Sequence, residues 1–259
     1  MDHTANGGTS MIDQVISDAL MDVKSAAIER HGEQPGHCLA GDAEFTTPME
    51  VAMKNIILGT AMAAVAAHAS TEAINFDKDR PGTLPADWIA GVTGSGKPVW
   101  KVEADTGAPS GPNVLKQSGV GDYPWCVRKG VSISDGFVEV KFKPLTGRED
   151  QAGGVVWRWK DGDNYYVARA NALENNVSLY YTESGRRKTI KYVDAPVAGR
   201  MWHTLRAEFQ GSKIRVLLDG KAYIEIDDAH IAGSGTVGVW TKADSVTAFD
   251  DFSYAASAR

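Results

Sequence analysis

GGVVWRWKDGDNYYVARANALENNVSLYY, residues 153–181, reads as two strands joined by a tight turn, with a third strand behind them. Over residues 155–160 the side chains alternate, as a pleated strand requires: Val155, Trp157 and Trp159 point one way, and Val156, Arg158 and Lys160 the other. Asp161-Gly162-Asp163-Asn164 supplies the turn, because Asp, Gly and Asn tolerate the dihedrals of a reversal. In the next run Tyr166, Ala168 and Ala170 share one face, against Tyr165, Val167, Arg169 and Asn171. One face is compact and mostly apolar, while the other carries Arg158, Tyr165, Arg169 and Asn171. Guanidinium, amide and phenol groups on a rigid sheet suit a hydroxyl-rich ligand such as a sugar. The same set also fits an ordinary sheet face with satisfied surface charges.

Outward from this stretch the text stays β. Short alternating or apolar runs occupy residues 74–76, 99–102, 114–116, 137–142, 188–193, 202–209, 213–218, 222–226, 236–241 and 247–254. Asp219-Gly220 between two such runs is a strong hairpin signal. Roughly a dozen short strands at this spacing, without helical text, predict an all-β, two-sheet antiparallel jelly-roll sandwich over residues 70–259. Residues 91–98, GVTGSGKP, nearly spell a phosphate-binding loop. Pro98 stands where Ser or Thr should hold magnesium and no helical pattern follows, so a flexible surface loop is expected.

The first 69 residues differ. Residues 1–52 read as a leader, either disordered or upstream of a start at Met49 or Met53. Residues 53–69 have a short positive region, an apolar core and Ala67-His68-Ala69, the pattern of a signal peptide. A secreted or periplasmic protein without a stable transmembrane anchor is therefore expected, because no apolar run reaches the ~18 residues a span needs. The 259-residue chain has a net charge of −6 and no Lys/Arg run, which argues against a nucleic-acid partner. With two cysteines, Cys38 and Cys126, removal of the leader leaves Cys126 alone.

Catalytic signals are incomplete. No G-x-S-x-G occurs, and His203, after Trp202 at the start of a strand, reads as structural. Glu225-Ile226-Asp227 begins an E-x-D-x-x-E pattern, yet His230 stands where the last glutamate belongs, so Glu225 and Asp227 read as a solvated strand face. Loop carboxylates Asp161, Asp163, Glu174 and Asp244 border the polar face and stay open as acid/base groups. In TVGVWTKADS, residues 236–245, Trp240 and Lys242 share a face opposite Val237 and Val239. Trp240 then stacks on a sugar ring, or plugs the core if the register slips. Tyr180 and Trp240 join Arg158, Tyr165, Arg169 and Asn171 as candidate ligand contacts, with Glu174, Lys242 and Asp244 at the margin. Asp250-Asp251 in the final strand, beside Asp77 after the first, would hold a structural calcium through oxygen ligands.

The central stretch, with WHTLR, VLLDG and VGVWTKADSVTAFDDF, resembles the concanavalin A-like, laminin G-like jelly rolls. It is most similar to the bacterial secreted domains labelled 3-keto-disaccharide hydrolase or glycoside hydrolase family 16. The resemblance spans nearly all of residues 74–254 and implies a sandwich with a carbohydrate-binding concave face. Its alternative implication is a glycoside hydrolase, acting on a 3-keto-disaccharide or glucan with loop carboxylates beside that face.

Overall fold

The computed structural model describes residues 71–257, which form fifteen strands and, among the described residues, no helix. The first strands are β1 (Glu72–Ile74), β2 (Trp88–Lys97), β3 (Trp100–Ala104), β4 (Asn113–Gln117) and β5 (Val120–Arg128). Then come β6 (Gly136–Thr146), β7 (Ala152–Asp161), β8 (Asn164–Asn171), β9 (Asn176–Glu183) and β10 (Arg186–Asp194). The chain finishes with β11 (His203–Gln210), β12 (Lys213–Leu218), β13 (Lys221–Asp227), β14 (Thr236–Trp240) and β15 (Val246–Ala256). They make two antiparallel sheets. The eight-stranded sheet runs β13-β12-β11-β6-β15-β4-β3, with β1 also on β15, and the seven-stranded sheet runs β10-β9-β8-β7-β14-β5-β2. The leader and signal expected over residues 1–69 lie outside the described residues, apart from which the expected jelly roll is present.

The alternation read in the sequence builds the layer between the sheets. Val155, Trp157, Tyr166, Ala168 and Ala170 are fully buried there, against Val138, Val140, Phe142 and Val216 of the other sheet. Trp157 stacks on Tyr166 at 5.3 Å and on Phe209 of β11 at 5.7 Å, so one indole ties the two sheets together. Fully burying a side chain of this kind is worth roughly 1.5–3 kcal/mol, and such rings dominate the sandwich. The Asp219-Gly220 turn forms as expected, both residues at positive φ (51° and 78°), the pairing of a two-residue hairpin loop.

Two strands escape the sequence pattern. The expected loop at residues 91–98 lies largely in β2, which pairs with β5, itself unmarked by alternation. Gly91 permits this, because a Cβ there would lie 2.4 Å from the Trp125 ring that covers it. In β5, Pro124 interrupts a strand that is flanked on both sides. Its carbonyl accepts the Thr241 amide just past the end of β14, so the proline's missing donor falls where the β14 ladder has already ended.

Candidate functional site

The outer face of the seven-stranded sheet collects most of the expected residues, and the first correction occurs there. Arg158 sits at φ 46° in a β-bulge between Trp157 and Asp161. The extra residue inverts the alternation beyond it. Arg158 therefore turns away from Arg169: it donates to the Ser134, Ile231 and Gly211 carbonyls at 3.0, 3.1 and 2.7 Å and to Asp135. With four protein acceptors and 3% exposure it is a structural tie at the sandwich end, not a ligand contact. By the same inversion Trp159, expected inside, emerges on the outer face and packs on Trp125 at 5.1 Å.

At one end of this face lies a polar cluster. Asp150, fully buried, accepts from Arg169 Nη1 at 3.3 Å and Asn171 Nδ2 at 2.6 Å and pairs with Lys242. Glu174 and Asn176 take the other side of the Arg169 guanidinium, with Ser178 and Tyr192 attached to them. Burial raises the Glu174 pKa, but Asn176, Arg169 and Tyr192 outweigh it and hold the carboxyl below its ordinary value. Arg169, Asn171, Glu174 and Lys242 are thus brought together as expected, around Asp150, which carried no signal beyond its place in a loop. Asp244 is employed differently: its carboxylate accepts the amides of Arg148, Glu149 and Asp150 at 2.7–3.1 Å. It shapes the turn that delivers Asp150.

The other end is aromatic. Tyr165, Val167, Tyr180 and Trp240 are buried with Val127 and Val156 in a second apolar cluster, separate from the inter-sheet core. Tyr123 stacks on Trp240 at 5.9 Å, and Arg187 of β10 reaches across the face with its guanidinium 4.6 Å from the Tyr123 ring and 4.3 Å from that of Tyr180. Trp240 is on the expected face, yet with 0% exposure it cannot be the surface a ligand meets, and Tyr180 at 4% cannot either. The partly exposed surface is instead Tyr123, Trp125, Trp159 and Arg187. Trp125 and Tyr123 were missed because β5 was missed, Trp159 because a bulge has no fixed sequence signature. Tyr165 donates to or accepts from Thr93 at 2.8 Å, and burial pushes its phenol up.

The aspartates expected to hold metal gather on the other sheet. β15 pairs with β4 through residues 247–249 and with β1 through residues 252–254, and Asp250 and Asp251 fill the break between these partners. Asp250 is fully buried; its oxygens accept the amides of Ser110 (3.0 Å) and Asp251 (2.8 Å). Burial first, then the charges of Asp251 and Asp77, pushes its pKa up to about 6. Lys141 pairs with Asp251 at 2.7 Å, and Asp77 accepts the Asn113 amide at 3.1 Å. Oxygen donors and surplus negative charge suit calcium, but the present spacing does not. Among the described residues no three acidic, histidine or cysteine side chains are arranged to hold an ion.

The two sheets, their strand order and the antiparallel connections define a concanavalin A-like jelly roll. Particular solved structures with this fold include the carbohydrate-binding module CBM66 from Bacillus subtilis, with 20% identity over 66% of this chain and 96% of that one (TM-score 0.54). The cellulose-induced protein Cip1 matches at 14% identity over 72% and 97% (TM-score 0.53). A β-1,3-1,4-glucanase from a mouse hindgut metagenome matches at 13% over 72% and 99% (TM-score 0.51). No family model matches the sequence, and no curated protein does.

Proposed function

We propose that this domain binds carbohydrate on the outer face of the seven-stranded sheet. The observation that carries the reading is the partly exposed set Tyr123, Trp125 and Trp159 beside a rigid polar cluster built on Asp150 and Arg169. Flat rings stack on the apolar face of a pyranose, and fixed polar groups alongside orient its hydroxyls. The neighbours named for carbohydrate binding or glucan hydrolysis share the fold with this chain, and the reading rests on the face itself.

Hydrolysis is the weaker reading. A glycosidase needs two carboxyls about 5–10 Å apart, one with a raised pKa to act as the acid. On this face Asp150 is locked between cations and Glu174 is held low, the wrong direction for a proton donor. Glu225 lies on the opposite sheet, paired with Arg215 at 2.8 Å.

The test is a glycan array paired with reducing-sugar and 3-keto-glycoside assays, run on wild type, Trp125→Ala and Trp159→Ala. Binding without turnover, lost in both variants while the melting temperature stays within a few degrees, is the expected result. Turnover, or binding indifferent to both tryptophans, overturns it. A further part of the proposal is export, for which the mature N-terminus should fall near Ser70. Among the described residues no helix is long and apolar enough to cross a membrane.

A further inference from the structure

The charges on the candidate face are unevenly settled. In the polar cluster two cations, Arg169 and Lys242, are matched by two carboxylates, Asp150 and Glu174, so that end is neutral within itself. Arg187 has no such match. Among the described residues no carboxylate lies within ion-pair distance of it. Its Nη1 is buried without a hydrogen-bond partner, while its plane rests between Tyr123 and Tyr180. Close by, the indole N–H groups of Trp125, Trp159 and Trp240 and the Arg169 Nε–H are also buried and unmade. Each of these is a donor with no capacity to accept, while Thr182 Oγ1, across the ladder from Arg187, is also unmade and can do either. Trp100 and Trp157 leave the same group unmade inside the inter-sheet core, so the guanidinium, rather than the indoles, decides the matter.

A buried guanidinium nitrogen without an acceptor is costly, and the natural remedy is an anion with planar, paired oxygens. The other cations of β10 do not share this face: Arg186, Lys188 and Lys191 register with Glu183, Tyr181 and Leu179 on the inter-sheet side, while Arg187 registers with Thr182 on the outer side, so the charge of this face rests on Arg187 alone. From this we propose that the ligand is an acidic glycan whose sugar carries a carboxylate. In this arrangement the uronate carboxylate meets Arg187 and its ring lies on Trp125 and Trp159. This rests on the carbohydrate-binding reading above and adds to it the charge of the ligand.

The experiment compares oligosaccharides in pairs: oligogalacturonate, oligoglucuronate and oligomannuronate, each against its carboxyl-reduced, neutral counterpart. Sulfated galactan oligosaccharides form a third arm. The wild-type protein should bind at least one uronate at least tenfold more tightly than its reduced partner. Arg187→Gln should abolish that preference without lowering the melting temperature appreciably, and Arg187→Lys should keep part of it. Equal binding to both members of every pair, a preference that survives Arg187→Gln, or selection of the sulfated arm alone overturns the acidic-sugar assignment and leaves carbohydrate binding standing. Failure to bind any member of any arm, by folded protein, overturns both readings together.

Discussion

Removing the guanidinium of Arg169 leaves Asp150 buried with only Lys242 and Asn171 to hold its charge. Breaking one side of a buried pair typically costs about 3–5 kcal/mol, so Arg169→Ala should lower the unfolding free energy by that order, read from urea denaturation. The sequence alone predicts the opposite separation for this residue, loss of binding with an intact fold, since alternation marks it as outside the inter-sheet core. It is outside that core and still 2% exposed, because the outer face packs on itself. Trp159→Ala, on a partly exposed ring, should show the pattern first expected of Arg169: affinity reduced about tenfold or more, with a smaller loss of stability. Asp250 offers a test by pH. Its folded-state pKa of about 6 lies above the ordinary 3.8, so the folded form takes up the proton more readily. Its contribution to stability is fully present below pH 3.8 and is lost as the pH rises through 6, by about 3 kcal/mol in all. The melting curve of Asp250→Asn against pH should lack that fall.

At the scale of elements, Gly91 shows how a strand and a binding surface are made by one residue. Its missing side chain lets the Trp125 indole lie flat across β2, and Gly162 gives the same ring clearance from the β7–β8 turn. Gly91→Ala should displace Trp125, shifting tryptophan fluorescence and weakening ligand binding more than it lowers the melting temperature. Alternation made most strands legible, and the Asp-Gly pair made one hairpin legible, because both follow from local dihedrals and a period of two. β2 and β5 were not, since glycines and Pro124 erase the period just where long-range packing supplies the reason for the strand. The site was half legible for a related cause. Arg169, Asn171, Glu174 and Lys242 follow from the pattern, whereas Arg158 and Trp159 exchange sides at a bulge set by tertiary contacts: the Ser134, Ile231 and Gly211 carbonyls that capture Arg158.

For the whole molecule, the decisive relationship is between β1 and β15, the first and last strands of the described chain, which pair through Glu72↔Tyr254 and Ile74↔Phe252. β15 is no edge strand: β6 lies along one side, with β4 and β1 along the other. The eight-stranded sheet is therefore in three pieces until β15 arrives (β13-β12-β11-β6, β4-β3 and β1), and Phe249 and Phe252, both 0% exposed, are absent from the core with it. Translation delivers residues in order at roughly 5–20 per second, so the stretch from residue 71 to residue 245 would stand as an unsealed sandwich for roughly 9–35 seconds of synthesis before β15 follows it. A chain stopped at residue 245 should consequently be recovered as a protease-sensitive, aggregating species rather than as a slightly weakened domain. In synthesis, as opposed to equilibrium, this sandwich closes from its far end, and any partner that must keep it open has until the final strand to act.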